Sequence, residues 1–385
     1  MITSGFTYLA VLLFITAVIV QLDRRYKAFF EYVPGIVVLY FLVMTLSTAG
    51  LWQKSDEVNL YYGQLKDNLL QVMIFLMLLR CNIREVFKLG PRMLLGFFSA
   101  TATICLGFIV VFAAFRSHWE PHTWKTFAAL CGSWIGGTGN MVAVQKALEV
   151  PDSQMGYTLL MDSVNYAVWV MVLLACVPAA HRFNRWTGAD TSQIDEVGAQ
   201  LAREQTTAHA EMEFHHLVLL LGVGFLIAAL CKATAGYLPT WSFLSTSTWV
   251  VMLATVAGVA GGLTPLGKTP GISMLSNLIL YLMVALMGSR ANFSELTQAP
   301  FYIFCGTLII GIHAVSLALI AKLLRLDLFT CGVASLAHIG GVASAPILAA
   351  AYSEVLIPVG VLMAMMGYIV GTGVGLLVGQ ILSLL

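Results

Sequence analysis

Two long apolar segments of this chain are each interrupted by Ile-Gly-Gly, and these interruptions constrain the fold more than any other feature. They read Cys131-Gly-Ser-Trp-Ile-Gly-Gly-Thr-Gly-Asn-Met-Val-Ala-Val-Gln145 and Cys331-Gly-Val-Ala-Ser-Leu-Ala-His-Ile-Gly-Gly-Val-Ala-Ser-Ala-Pro346. A helix is expected to break at paired glycines, which leaves backbone N–H and C=O groups unpaired. Inside a bilayer such a break is stable only where it is buried in protein or lines a cavity. Two breaks at corresponding positions of two halves are typical of the binding site of a secondary transporter.

The composition places the chain in a membrane. Hydrophobic residues make up 59% of it and charged residues only 10%, which excludes a soluble globular protein. The formal net charge of +1 gives no basic excess, so nucleic acid is not expected as a partner. The sequence has no HExxH, Walker lysine, GxSxG or nucleophile–base set. We therefore expect a polytopic membrane protein that is not an enzyme and needs no cofactor, with Na⁺ as the one ion to consider.

The chain is predicted to contain an internal repeat. Twelve apolar segments, two of them interrupted, are divided into halves by one polar stretch. Short sequences recur in both halves in the same order, and such recurrence indicates duplication. The recurring sequences are Arg80-Cys-Asn82 and Arg290-Ala-Asn292, Ile135-Gly-Gly137 and Ile339-Gly-Gly341, and Leu160-Met161 with Tyr166 against Leu362-Met363 with Tyr368. The predicted domains are a first repeat at 1–180, a polar cytoplasmic linker at 181–214 and a second repeat at 215–385.

The distribution of positive charge favours inverted repeats. The first apolar run, Gly5–Leu22, is followed by Arg24, Arg25 and Lys27, which predicts a retained first helix with its N-terminus outside. If every segment crosses, the repeats are parallel and Lys and Arg divide evenly between the two sides. If the interrupted segments at 126–148 and 328–352 enter and leave on one side, each repeat has five crossings, the repeats are inverted, and the cytoplasmic side carries the positive excess. The repeats would also be inverted if each broken helix crosses the membrane fully and one other apolar segment of each repeat does not.

The predicted fold is therefore all-α, a polytopic membrane protein with two inverted repeats, each containing a broken or re-entrant segment. It has about 10–12 membrane segments, each long enough to enter the hydrocarbon core.

Asp162 is the strongest candidate for an ion-binding residue. It lies within an apolar spanning segment, where a carboxylate is costly and usually functional, and Ser163 and Asn165 supply nearby oxygens. The functional interpretation is a Na⁺ ligand or a proton carrier. The alternative is a carboxylate near the membrane surface that caps a helix or pairs with Lys146. The equivalent position in the second repeat is Ala364, so this feature belongs to one half only.

Polar residues at the two breaks predict helix starts inside the membrane. Ser344-Ala-Pro346 has the pattern of an N-cap followed by a first-turn proline, and Thr138 or Asn140 could cap the first break. Helix N-termini at this depth suit an anion, whereas the carbonyls that end the preceding half-helix suit Na⁺. The alternative is that Gly-Gly only allows close helix packing.

Other residues near the breaks carry weaker signals. His338 precedes the second Gly-Gly pair and Trp134 holds the corresponding place in the first. His338 could bind an anionic substrate or relay protons, or it could be a neutral histidine bonded to a backbone carbonyl. Arg80 and Arg290 are expected to cap or snorkel at helix ends, with a substrate-carboxylate role as the alternative.

The segments Ser133-Trp-Ile-Gly-Gly-Thr-Gly-Asn-Met-Val-Ala143 and Ala337-His-Ile-Gly-Gly341 resemble an uncharacterised bacterial membrane family known as domain-of-unknown-function eight-one-nine. That family is grouped with cation/proton antiporters, bile-acid/sodium symporters, sodium/glutamate symporters and 2-hydroxycarboxylate transporters. The resemblance implies inverted repeats, a mobile core domain, a scaffold that dimerises and elevator-type alternating access. By matching motif it also implies that substrate and Na⁺ contact Gly136, Gly137, Asn140, Gly340, Gly341 and Ser344.

We therefore predict a Na⁺-coupled, or alternatively H⁺-coupled, symporter for a small organic anion, forming a homodimer in the bacterial inner membrane. The alternatives are an exporter or cation/H⁺ antiporter on the same architecture, and a non-transporting membrane protein that binds a lipid or cell-wall partner. The predicted substrate-binding residues are Trp134, Gly136, Gly137, Asn140, His338, Gly340, Gly341 and Ser344. The predicted ion-binding residues are Thr138, Asn140, Asp162, Ser163 and Asn165.

Overall fold

The computed structural model describes residues 1–30, 34–191, 212–240, 245–291 and 299–385. Within these ranges all regular structure is helical, apart from an isolated bridge between Ile2 and Trp52. The principal helices of the first half are α1 (Gly5–Arg25), α2 (Gly35–Thr48), α3 (Asp56–Leu79), α4 (Gly90–Ala114), α5 (Thr123–Gly136), α6 (Thr138–Ala147) and α7 (Met155–Cys176). Those of the second half are α8 (Phe214–Ala235), α9 (Thr246–Gly262), α10 (Ile272–Gly288), α11 (Ala299–Leu324), α12 (Leu328–Ile339), α13 (Gly341–Tyr352) and α14 (Ile357–Leu382).

Each predicted apolar segment contains one of these helices, and each interrupted segment contains a pair. By length and composition, six of the described helical stretches can cross a membrane and five shorter ones are also apolar. The six are Gly5–Arg25, Ile83–Ala114, Asp152–Thr187, Phe214–Ala235, Ala299–Leu324 and Glu354–Leu382. The start of the predicted linker forms a short helix, Ala180–Thr187, and residues 192–211 of it lie outside the described residues.

The helices form two bundles with separate apolar cores. The first bundle contains α1, α2 and α3 with α8, α9 and α10. The second bundle contains α4, α5 and α7 with α11 to α14. Helix α6 contributes apolar side chains to the core of the first bundle while packing on α5 and α14 of the second. A few residues of α5, α7 and α14 also reach the core of the first bundle, among them Ala128, Met155 and Leu376. The two bundles therefore meet mainly where α6 contacts α3 and α9.

The helix pair α12–α13 folds back on itself. The rings of Phe329, at the start of α12, and Tyr352, at the end of α13, lie 5.3 Å apart between centroids. Both ends of this pair consequently lie at the same level, near the start of α14 at Ile357.

The pair α5–α6 folds back in the same way, but at the other end of α14. Gly379, close to the end of α14, lies against both Trp124 at the start of α5 and Leu148 just beyond α6. The turns of the two pairs meet near the middle of α14, where Gly367 lies against the carbonyl oxygens of Ile135 and Ala337.

The breaks fall at the glycines, but the predicted caps are wrong. Helix α6 follows Gly137 and α13 begins at Gly341, with no side-chain cap at either start. Pro346 lies inside α13 rather than in its first turn. The reason is that the glycines themselves make the turns: Gly137 has φ of 80° and Gly341 has φ of 63°, a region in which side chains are disfavoured.

Candidate functional site

A cavity of about 230 Å³ lies between the two bundles. From the first bundle it is lined by the starts of α2 and α10 and by the end of α3. From the second bundle it is lined by the turns of both folded-back pairs and by the middle of α7. The polar residues of its lining are Arg80, Ser133, Thr138, Asp162, Ser163, Tyr166, Ser276, Asn277, Tyr281 and Tyr368.

Two helix N-termini face this cavity. Thr138 and Gly139 begin α6, Gly341 and Val342 begin α13, and all four line the cavity wall. The first N–H groups of a helix have no acceptor within the helix, and they carry the positive end of its dipole. This part of the wall is therefore suited to oxygen atoms that bear negative charge.

Asp162 supplies the one carboxylate of the described cavity lining. Ser133 Oγ, on α5, donates a hydrogen bond to Asp162 Oδ2 over 3.2 Å. The indole N–H of Trp134 also faces this carboxylate, although it does not reach full hydrogen-bonding geometry. The predicted alternative, a pair between Asp162 and Lys146, is wrong, because Lys146 pairs with Asp67 at 2.5 Å.

Arg80 supplies the one basic side chain of the described lining. Its guanidinium lies over the ring of Tyr368, 5.9 Å from the ring centroid, a distance at which a cation–π attraction operates. Among the residues that the structure describes, no carboxylate or hydrogen-bond acceptor is paired with this guanidinium. Arg80 is thus a free positive charge at the edge of the cavity.

Two tyrosines at equivalent repeat positions cover the two breaks. Tyr368 of α14 lies against Gly137, and Tyr166 of α7 lies against Gly340. Each half of the chain therefore places its tyrosine on the break formed by the other half. Both rings line the cavity.

Half of the predicted site residues line the cavity. These are Gly137, Thr138, Asp162, Ser163, Gly340 and Gly341. The structure brings them together from three elements that are far apart in the sequence.

Asn140 and Gly136 hold the first break in place rather than facing the cavity. Asn140 Nδ2 donates to the carbonyl of Gly136 at 2.5 Å, and Thr372 Oγ1 donates to Asn140 Oδ1 at 2.6 Å. The amide of Asn140 therefore ties the turn to α14. Gly136 packs against Gly367 and Gly371 of the same helix.

Asn165 and His338 face the interior of the second bundle. Asn165 donates to the carbonyl of Met161 at 2.9 Å and accepts from Thr307 at 3.0 Å. His338 is fully buried, with Nδ1 2.6 Å from the carbonyl of Ala334 and Nε2 2.7 Å from Thr101 Oγ1. A carbonyl can only accept, so Nδ1 carries the proton, and both nitrogens of His338 are engaged away from the cavity. The placement therefore matches the neutral-histidine alternative and gives His338 no contact with a substrate.

Ser344 and Trp134 are buried just behind the cavity wall. Ser344 Oγ lies against Gly340 and beside the Tyr166 hydroxyl, without a hydrogen bond in the described structure. Trp134 packs edge-on against Phe108, with ring centroids 5.4 Å apart. Buried polar atoms without partners are uncommon in proteins and often mark functional positions.

Several polar residues of the lining carry no signal in the sequence, namely Ser276, Asn277 and Tyr281. The sequence predicts that Arg80 caps or snorkels at a helix end, with a substrate-carboxylate role as the alternative, and Arg80 lines the cavity. The one signal that could have found Tyr166 and Tyr368 is their equivalence in the repeat, because paired positions in two such repeats converge on one site.

The fold and the cavity define a polytopic α-helical membrane protein with a polar chamber between two helix bundles. The chain belongs to the family described as "Protein of unknown function (DUF819)", whose model matches residues 10–385. It is similar to the "Uncharacterized membrane protein YjcL" of Bacillus subtilis (strain 168), at 24% identity over 382 residues that cover 94% of this chain and 93% of that protein. The predicted family and the multi-pass membrane character are thereby confirmed.

Proposed function

We propose that this protein is a secondary active transporter of the bacterial inner membrane that couples Na⁺ to the movement of a small organic anion. The observation that carries the proposal is the cavity between the bundles, where both helix breaks, Asp162 and Arg80 meet. Sealed, dry packing of the two breaks would favour a non-transporting protein, whereas a cavity with polar residues between them favours transport. Discontinuous helices around a polar cavity are the usual form of a substrate site in secondary transporters.

Na⁺ is assigned to the oxygen atoms around Asp162. Ser133, Thr138 and Ser163 all line the cavity together with this carboxylate, and hydroxyl and carboxylate oxygens are the ligands that hard cations prefer. Asn140 and Asn165 are left out of the ion site, because their amides are engaged by Thr372 and Thr307. Protonation of Asp162 is the alternative form of coupling, and the experiment below separates the two.

The contacts of α14 support inverted repeats and re-entrant hairpins. The two folded-back pairs approach α14 from its opposite ends and meet at Gly367, as two hairpins entering the membrane from opposite sides would. The separate cores of the two bundles support an elevator mechanism, in which the second bundle slides against the first. A homodimer held together through the first bundle completes this proposal.

The proposal is tested by thermal unfolding of the purified full-length protein in NaCl and in KCl at equal ionic strength. A ligand that binds only the folded state raises the unfolding temperature by mass action. We expect Na⁺ to stabilise the wild type and to have no effect on Asp162→Asn. The matched control is Asp56→Asn, which removes an exposed carboxylate at the start of α3.

Three results decide between the forms of the proposal. Retention of the Na⁺ effect in Asp162→Asn would remove Asp162 from the ion site. An equal response of the wild type to NaCl and KCl at every pH contradicts Na⁺ coupling. Stabilisation by acidification alone, lost in Asp162→Asn, would assign the coupling to H⁺.

A further inference from the structure

We infer that Arg80 is the anion-binding residue of the cavity and that the transported solute carries one carboxylate and no other charged group. This inference deepens the proposed function and rests on it. Three independent observations support it: the unpaired guanidinium of Arg80, the charge balance of the cavity lining and the position of Tyr368.

The guanidinium of Arg80 is held next to the cavity, and no anionic side chain of the described residues neutralises it. Arg80 directly follows α3, and its side chain lines the chamber that contains Asp162. Arginine presents N–H donors in a planar fork that matches both oxygens of a carboxylate. A free guanidinium in a partly enclosed polar chamber is therefore available for a solute carboxylate.

Two other arginines of the chain have guanidinium groups that donate hydrogen bonds to protein acceptors. Arg290, at the equivalent place in the second repeat, donates to Asn59 Oδ1 at 2.6 Å and lies 4.1 Å from the ring centroid of Tyr62. Arg92 donates to the carbonyl of Asp190 at 2.6 Å. Arg80 has no such hydrogen bond among the described residues, although it is half-buried, as Arg290 is.

The charge balance of the chamber fits a solute with one negative charge. Asp162 and Arg80 are the two charged side chains of the described lining. When a monovalent cation neutralises Asp162, the positive charge of Arg80 and the N-termini of α6 and α13 remain. A monocarboxylate balances Arg80. A second carboxylate would meet only the helix N-termini, whose partial charges neutralise it less completely than a basic side chain would, and burial makes an incompletely neutralised charge costly.

Tyr368 acts as a positioning residue for Arg80. Its ring lies between the guanidinium and Gly137, so it links the charged group to the first helix break. A cation–π attraction to the ring favours one position of the guanidinium, which lowers the entropy lost when a carboxylate binds. The small cavity of about 230 Å³ and its apolar residues Met77, Leu159 and Leu280 further favour a compact, partly apolar solute.

The inference is tested with a ligand panel at constant Na⁺ on the purified full-length protein. The probes are small monocarboxylates (lactate, pyruvate and benzoate), the uncharged amides of lactate and benzoate, the dicarboxylate malate and the zwitterion alanine. Thermal unfolding and isothermal titration give the binding constants. We expect at least one monocarboxylate to bind in the presence of Na⁺, and neither amide nor malate to bind comparably.

Substitution of Arg80 then locates the anion. We expect Arg80→Gln to weaken monocarboxylate binding roughly 30-fold or more, since it leaves a desolvated carboxylate without its partner. The control Arg84→Gln removes an exposed arginine four residues away and should leave binding unchanged. Tyr368→Phe keeps the ring and should retain monocarboxylate binding. Tyr368→Leu removes the ring, and its affinity for the monocarboxylate should fall several-fold.

Stabilisation by Na⁺ is measured in parallel, and it separates failure of the inference from failure of the proposed function. If Na⁺ stabilises Arg80→Gln and the wild type equally while Arg80→Gln no longer binds the monocarboxylate, the inference and the proposed function are both supported. If Na⁺ stabilises the wild type but no monocarboxylate of the panel binds, or if Arg80→Gln binds as tightly as the wild type, this inference is overturned and the Na⁺ site survives. Tight binding of alanine that is lost in both Arg80→Gln and Asp162→Asn would overturn it in favour of a zwitterion.

Discussion

Lys66 Nζ lies 2.6 Å from Asp152 Oδ1, and this ion pair joins α3 of the first bundle to the turn that precedes α7 in the second. The side chains of Lys66 and Asp152 are only 14% and 8% exposed. The same carboxylate oxygen accepts a hydrogen bond from Gln145 Nε2 at 2.6 Å. A second pair, Lys146 with Asp67, bridges the same two bundles but is more exposed, at 24% and 52%.

Removal of one partner of the Lys66–Asp152 pair should destabilise the protein. Lys66→Met leaves a largely buried carboxylate that only Gln145 satisfies, and we expect a loss on the order of 2–3 kcal/mol in the free energy of unfolding. Lys146→Met should cost less than about 1 kcal/mol, because exposed pairs contribute little. Thermal unfolding in detergent measures both.

The double variant Lys66→Met/Asp152→Leu provides the control for this prediction. It removes both charges, so it should recover part of the stability that Lys66→Met alone loses. The single variant Asp152→Leu completes the comparison. If the loss in free energy of unfolding of the double variant equals the sum of the losses of Lys66→Met and Asp152→Leu, the pair does not couple the bundles.

Gly367 should tolerate no side chain, because α14 touches the first helix break there. A Cβ at this position would fall on the carbonyl oxygen of Ile135, and backbone cannot move aside as a flexible side chain can. We expect Gly367→Ala to cost on the order of 2–3 kcal/mol. Gly373, six residues further along α14, has no atom within 4 Å of its Cβ position, so Gly373→Ala should be neutral or slightly stabilising. Equal unfolding temperatures for the two variants would contradict this contact.

His313 should be needed for the stability of the second bundle. Its Nε2 lies 2.8 Å from Ser335 Oγ and its Nδ1 lies 2.8 Å from Thr103 Oγ1, while Trp169 Nε1 donates to Ser335 Oγ at 2.8 Å. Thr103 Oγ1 donates its proton to a backbone carbonyl of its own helix, so it accepts from His313 Nδ1–H. His313 Nε2, which is unprotonated in the neutral ring, then accepts a hydrogen bond from the Ser335 hydroxyl.

We expect His313→Leu to destabilise by on the order of 2–4 kcal/mol, because it removes one hydrogen-bond partner from each of two buried hydroxyls. The exposed His118 offers the control His118→Leu, which should change the unfolding temperature little. The network would be dispensable if both variants unfolded at the same temperature.

Most of the fold could be predicted from local sequence. Apolar segments bounded by charges located the helices, and the Ile-Gly-Gly motifs located both breaks to within a residue. The predicted cap at Ser344 is wrong, because the positive φ of Gly341 turns the chain before the serine is reached. Pro346 consequently falls inside α13, close to Gly360 of α14.

The candidate site was only partly predictable, because side-chain direction depends on packing. Asp162 stood out since a carboxylate in an apolar helix is costly. His338 lies two residues before the break at Gly340, yet its ring packs 4.1 Å from that of Phe97, so closeness in sequence did not bring it to the cavity. Arg80 is at a helix end, where an arginine usually reaches the membrane surface, and only the tertiary contact with Tyr368 brings it to the chamber.

The central claim is that the two helix breaks border a water-filled chamber that binds Na⁺. The most direct test is labelling of Thr138→Cys, in a background without the native cysteines, by a membrane-impermeant maleimide in oriented vesicles. We expect labelling from the side on which α1 ends and α2 begins, slowed by Na⁺ and not by K⁺, with Val142→Cys, in the core of the first bundle, unreactive. Thr138→Cys that resists labelling from both sides, or labels at the same rate in Na⁺ and K⁺, would contradict the account.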